Sequence, residues 1–347
     1  MGIFLLNFLA LFLVVVNSLT IRKVKNSSGS AITKTVDILI PMRNEEENVA
    51  PCLQAVLKTS DVKNFRIYVL NDHSSDKTVE YLQGFPVNTL DGAKLPEGWL
   101  GKNFACHQLA ESSTSEYLVF LDADVRITEF AVASAIRKLE ELDWDYISPY
   151  PKQLTGTFAE KLIQPLLQWS WLASVPLRIA EIFPNRSMTI ANGQFLILRR
   201  SSYLAIGGHE AIKSEVLDDL ELARLLVANG FKGGVAEGSE VASCRMYQSA
   251  SQLQDGYTKS LWKAFGGKLG TAFAVVLLAA TGIIPFFTSA FAYTLIIFSR
   301  FVAALKTKSN PIYALLHPIS VGYLIYLIAL SWKRKSANTL SWRGRSV

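Results

Sequence analysis

The sequence predicts an α/β domain built on a mostly parallel sheet and flanked by membrane-crossing apolar ends, and three observations predict it. Hydrophobic residues make up 50% of the 347-residue chain, with mean hydropathy +0.24, yet the excess lies at the two ends. Between the ends, short apolar runs alternate with helical patterns. Polar and acidic residues gather just beyond the carboxyl ends of those runs, which is where open α/β sheets bind ligands.

From Ile3 to Ile21 the chain is almost wholly apolar, and from Thr271 to Trp332 two long apolar stretches are separated only by Lys306 to Pro311. Because about 20 such residues span a bilayer, residues 1–22 are expected to be an N-terminal anchor and residues 269–332 a set of C-terminal membrane helices. A cleaved signal peptide carries cations before its apolar core, whereas here Arg22, Lys23 and Lys25 follow it. Those cations are expected to place the next domain in the cytoplasm with the N-terminus outside, and the several apolar segments to make the chain a multi-pass protein of the cell membrane. Thr271 to Ser299, roughly 29 residues, is short for two spans unless Arg300 snorkels and the second span extends to Leu305. The basic tail, residues 333–347, carries Lys333, Arg334, Lys335, Arg343 and Arg345. Such clusters meet anionic lipid headgroups, so the net charge of +6 does not point to nucleic acid. Cys52, Cys106 and Cys244 form no close pair and no metal-binding spacing, and they read as reduced thiols.

Residues 33–268 are expected to form the α/β domain. Val36 to Ile40 reads as a first strand ended by Pro41, followed by a helix over Glu45 to Lys58. Phe65 to Leu70 reads as a second strand, closed by Asn71, Asp72, His73, Ser74, Ser75 and Asp76. Tyr117 to Leu121 is a third, and it runs into Asp122, Ala123 and Asp124. A carboxylate at the end of a buried strand, with a second two residues on, suits a hard divalent cation such as Mn2+ or Mg2+. Such a cation can neutralise a diphosphate leaving group. Taken alone, the Asp72 string also fits a turn and helix cap.

Four blocks in order carry a resemblance to the family 2 inverting glycosyltransferases, whose catalytic fold is called GT-A. They are Ile38 to Glu46, Val69 to Thr78, Phe120 to Asp124 and Val216 to Arg224. The resemblance covers roughly Val36 to Gly267. It implies a UDP-sugar donor, with Pro41, Arg43 and Glu45 in the nucleotide loop and Asp72 at the position that contacts uracil. It further implies Asp122 and Asp124 at the metal and diphosphate and Asp219 as the catalytic base, and Asp218 beside it is expected to orient the base or the sugar. Gly98 to Asn103 is similar to the segment whose lysine, here Lys102, lies near the sugar nucleotide; Lys102 reads equally as a solvated surface residue. Asn192, Gly193 and Gln194 look like the strand lining the acceptor side. The stretch Pro96 to Asn103 is most like bacterial enzymes that glycosylate carotenoid acids or other polyprenoid lipids. The resemblance also suggests a helical hairpin after Thr271, giving three C-terminal spans where charge bias prefers two.

The Gln-x-x-Arg-Trp string of processive family members is absent, which favours transfer of a single sugar, a hexose by the resemblance. Residues 158–183 mix Trp169 and Trp171 with cations and two prolines, and they suit an interfacial segment that, with Trp262, offers a greasy acceptor side. An ordinary core helix is the alternative. The expected partners are therefore a UDP-sugar, a lipid-like acceptor and the membrane, with no nucleic acid. Two other functions fit the same residues: a transferase acting on polyprenyl phosphate, and a non-catalytic membrane scaffold that binds a nucleotide sugar.

Overall fold

The computed structural model describes residues 2–342, 345 and 346, with side chains from 341 onward outside that description. The expectations for Arg343 and for the Arg345 side chain therefore fall outside the described residues. The chain divides into two compact units.

The first unit comprises Arg22–Lys152 and Ile179–Cys244. Its strands are β1 (Ile32–Met42), β2 (Val62–Asn71), β3 (Asn88–Asp91), β4 (Tyr117–Leu121), β5 (Val125–Ile127), β6 (Tyr146–Tyr150), β7 (beginning at Lys152), β8 (Phe195–Arg199), β9 (Gly233–Glu237) and β10 (Ala242–Cys244). Seven of them form the main sheet in the order β3-β2-β1-β4-β8-β6-β9. All neighbours are parallel except β8, which runs antiparallel to both β4 and β6. The central strands lack the polar alternation of a half-exposed sheet because both faces are covered; β4 (Tyr-Leu-Val-Phe-Leu) is buried at every position. On one face the Gly101–Glu111 and Asp218–Ala228 helices set Cys106, Leu109, Leu222 and Leu226 against Leu118, Phe120 and Leu196.

Pro41 does not end β1 as expected: the strand runs on to Met42, with Pro41 beside Leu70 of β2. The ladder to β4 stops at Leu39, so the missing N–H of Pro41 leaves no bond on that side unmade. Two polar loops follow β1 and β2, and Asn44 (φ 52°) and His73 (φ 53°) within them adopt left-handed backbone. Each loop is locked by a side-chain amide: Asn44 Oδ1 accepts from Ser75 N at 2.8 Å, and Asn71 Oδ1 accepts from Ser74 N at 3.0 Å.

The second unit gathers Met1–Ile21, Gln153–Arg178 and Arg245–Val347. Residues 153–178 and 245–268 thus cluster with the apolar helices and not with the sheet that precedes them in sequence. The cause is apolar packing, since Leu162, Ile163, Leu253, Tyr257 and Leu261 share one core with Leu327 and Ile328. Among the described residues three helices are long and apolar enough to cross a membrane: Gly2–Thr20, Lys268–Thr288 and Pro311–Ser336. A break at Ser289 starts a further apolar helix, Ala290–Lys306. That helix continues past Arg300, yet Arg300 is only 2% exposed and does not reach outward as a snorkelling residue would. The Phe158–Ser174 helix begins with a capping box of Thr157 and Glu160 and turns Trp169 and Trp171 inward, both buried. Phe158 and Leu167 are the large apolar residues it exposes. Arg334 of the basic cluster pairs with Asp255 at 2.7 Å inside this unit.

Candidate active site

A recess of about 290 Å³, open to solvent, lies beyond the carboxyl ends of β1 and β4. Pro41, Lys102, Asp122, Gly193, Asp218 and Asp219 line it, and Cys106, Phe120 and His209 are among its apolar and neutral walls. The sheet explains the gathering. β4 delivers Asp122 at its end, and the antiparallel β8 brings Gln194 alongside, so that Asp122 N donates to Gln194 O at 3.1 Å. Asn192 is fixed next door by a two-way exchange with Ser148 of β6, at 2.8 and 3.0 Å.

Asp219 lies in the first turn of the Asp218–Ala228 helix, where free N–H groups favour a carboxylate. Its Oδ1 accepts from Leu220 N at 2.8 Å and its Oδ2 from Gly193 N at 2.7 Å. A side chain at Gly193 would place Cβ 3.0 Å from the Cβ of Asp219, so this position needs its glycine for close approach. Burial and the adjacent Asp218 push the Asp219 carboxyl up to about 6, against the Lys102 charge and the two backbone donors.

The Lys102 side chain is 37% exposed, yet it is tied at both sides. Its Nζ lies 2.9 Å from Asp122 Oδ1 and 3.4 Å from Asp218 Oδ2, bridging two acidic blocks far apart in sequence. Burial works against its charge, but Asp122 and Asp218 outweigh that and hold its pKa well above the ordinary lysine value. Asp124 differs from both. Its Oδ1 is buried with no hydrogen-bond partner among the described residues. Burial, with the Asp122 and Glu45 charges nearby, pushes its carboxyl up to about 7. An orphaned carboxylate oxygen beside two further carboxylates fits a divalent cation, although among the described residues no group of three or more His, Cys, Asp or Glu side chains is arranged to hold one alone.

The remaining expected residues fall around this centre. Arg43 Nη1 donates to the carbonyls of Asp72 (2.6 Å) and His73 (3.2 Å), tying the loops after β1 and β2 together. Glu45 accepts from Asn48 Nδ2 at 2.8 Å. Trp169, Trp171 and Trp262 belong to the other unit, where Trp169 Nε1 donates to Ser299 Oγ and Trp262 Nε1 to Lys259 O. Two residues are placed here without any signal in the sequence. His209 lines the recess and is kept neutral, burial pushing it down to about 4 while Tyr203 Oη meets its Nδ1 at 2.9 Å. Cys244, on β10, stands beside Asp124 and takes the Gln194 amide at 3.0 Å.

Residues 37–207 match the model of the family described as Glycosyl transferase family 2. The 4,4'-diaponeurosporenoate glycosyltransferase of Staphylococcus aureus (strain USA300) is 24% identical over 334 residues, covering 90% of this chain and 88% of its own. Its counterpart in strain MRSA252 is 25% identical over 250 residues, covering 71% and 65%. Among solved structures, the mannosyltransferase PcManGT from Pyrobaculum calidifontis, in complex with GDP-Man and Mn2+, aligns with a TM-score of 0.58 at 15% identity, covering 99% of this chain and 97% of its own. With the parallel sheet, the acidic strand ends and these likenesses together, the chain carries a family 2 glycosyl transferase domain of the GT-A fold.

Proposed function

We propose that the protein transfers a single hexose from a UDP-hexose to a lipid-like isoprenoid acceptor at the cell membrane, with inversion. The observation that carries this reading is the Asp219 carboxylate, aimed into the same recess as Asp122 and Lys102 and held there by two backbone donors. A carboxyl raised to about 6 is ionised at neutral pH and still basic enough to accept a proton. Asp219 takes the proton from the acceptor oxygen as that oxygen attacks the sugar from the face opposite the diphosphate. The acceptor suggested by the name of the staphylococcal relatives is a carotenoid acid. A carboxylic acid in apolar surroundings keeps its proton more readily than in water, so a hydroxyl and a carboxyl would both offer Asp219 a proton.

Asp124 and Asp122 would hold a divalent cation, which when bound offsets the charge of the departing diphosphate. Lys102 balances Asp122 and Asp218 and would meet the same diphosphate charge. Arg43 holds the loop that carries Asp72, the residue proposed to meet the uracil. The apolar helices, with large exposed side chains such as Phe8, Phe12, Phe273 and Phe287, support a multi-pass membrane protein, and Arg22, Lys23 and Lys25 after the first of them favour a cytoplasmic GT-A domain.

The test is transfer by the purified full chain, with UDP- or GDP-hexose as donor and a C30 carotenoid acid, a polyprenyl phosphate or no lipid as acceptor, with and without Mn2+. A Mn2+-dependent hexosylated carotenoid acid formed from the UDP donor is the expected product. Preference for polyprenyl phosphate, or nucleotide-sugar binding with no transfer to any lipid, would overturn it.

A further inference from the structure

The helical unit contains a buried cation that none of the described residues pairs. Arg300 is 2% exposed, and its Nη1 is fully buried without a hydrogen-bond partner. His317 (0% exposed) leaves both ring nitrogens unpartnered, and Ser320 (0% exposed) leaves its hydroxyl unpartnered. His317 and Ser320 lie three residues apart in the helix and so face the same way. The Trp169 ring connects them to Arg300: its centroid is 5.2 Å from that of His317 and 5.8 Å from the guanidinium carbon. On another side the His317–Ser336 helix meets Gly282, where a side chain would bring Cβ within 3.0 Å of His317 Nε2. Gly282 sits in a single π-helical turn, Ala279–Ile283, a distortion common at functional sites.

The helical unit supplies no free counter-ion. After Asp255 the chain contains no acidic residue, and neither apolar N-terminal helix residue nor any residue of the Phe158–Ser174 helix other than Glu160 is acidic. Glu160 is committed to the cap at Thr157 and to Arg245, and Asp255 to Arg334. A stacked indole attracts a guanidinium, but less strongly than desolvation of an unpaired charge opposes its burial. A charged side chain within apolar helices marks a ligand pathway or site. Arg300 offers a planar fork of donors, Ser320 a hydroxyl and His317 a ring N–H, a set that matches an oxyanion.

We propose that Arg300, His317 and Ser320 form a binding site for the oxyanion head of a long-chain lipid, carboxylate or phosphate, within the helical unit. This goes beyond the transfer reaction and does not depend on the identity of its acceptor.

The experiment uses the full chain, delipidated in neutral detergent, titrated with palmitate, phosphatidylglycerol or the uncharged diacylglycerol and followed by native mass spectrometry and thermal unfolding. Wild type is expected to bind at least one anionic probe, with a rise in Tm, and to bind diacylglycerol at least 10-fold more weakly. Palmitate against phosphatidylglycerol separates a carboxylate from a phosphate source. Arg300→Gln and His317→Gln should each weaken anionic binding 10-fold or more, and Arg300→Lys less. Arg300→Met removes the unpaired charge, so its lipid-free Tm should equal or exceed that of wild type while the lipid-induced rise disappears. Equal binding of anionic and uncharged probes by wild type, unchanged binding in Arg300→Gln, or an Arg300→Met protein destabilised without lipid would each overturn the site. Because the mutated residues lie in the helical unit and donor binding in the other, an unchanged far-UV CD spectrum and a single cooperative unfolding transition, read beside retained UDP binding, report that the variants are folded.

Discussion

Two carboxylates of the GT-A domain, Asp219 and Asp124, are finished to different degrees. Asp219 has both oxygens bonded to backbone N–H groups within its own unit, and its orientation is set before any ligand arrives. Asp124 has a buried oxygen with no partner and two acidic neighbours that raise its pKa. The first is the arrangement expected of a preorganised base, the second of a site completed by something positively charged. If the difference is functional, the two residues should respond to different perturbations.

The largest effect is expected at Asp124. Asp124→Ala removes the oxygen ligand proposed for the cation, so donor binding and transfer should fall together, transfer by roughly 1,000-fold, and chelator should reproduce the loss in wild type. Calorimetry of UDP binding with and without Mn2+ would check it; metal-independent UDP affinity would break the contrast with Asp219.

Asp219→Asn comes next, with transfer down by ~100-fold or more. UDP affinity should stay near the wild-type value. The substitution carries a structural cost as well, since an amide N–H must face either Gly193 N–H or Leu220 N–H, and the lost bond should lower stability by about 1–2 kcal/mol. Thermal unfolding alongside kinetics separates that cost from the chemistry.

A smaller effect is expected from pH. Asp219 must be ionised to take a proton, and its pKa is raised to about 6, so kcat should hold above that value and fall as pH drops through it. A profile recorded at saturating Mn2+ tests this, and the acid limb should vanish from the residual rate of Asp219→Asn. The smallest change comes at Gly193→Ala, whose methyl would press on Asp219 at 3.0 Å and should cost about 10-fold in kcat with little effect on UDP binding.

Much of the fold was legible because it depends on local pattern. The buried run Tyr117–Leu121 forms β4 with the expected bounds, and the acidic groups after β1, β2 and β4 lie where strand order in such sheets puts ligands. What the sequence could not disclose depends on contacts across the fold. Lys102 reads equally as a sugar-nucleotide lysine and a solvated one in the sequence, and only the fold shows it between Asp122 and Asp218, residues 20 and more positions away. Cys244 has no partner in sequence, yet β10 pairs with β5 and so returns it to Asp124. The continuous domain expected over residues 33–268 is divided because Leu162 and Leu261 find their apolar partners on the C-terminal helix. Tryptophans suited to an interface turn inward for the same reason, Trp169 finding Ser299 as the partner for its N–H.

The most direct test of the account is to measure UDP affinity and transfer side by side for Asp219→Asn at saturating Mn2+. UDP affinity should stay within about twofold of wild type while transfer falls ~100-fold or more. Near-wild-type transfer to the native lipid would contradict it, because the acceptor would then arrive without a proton for Asp219 to take.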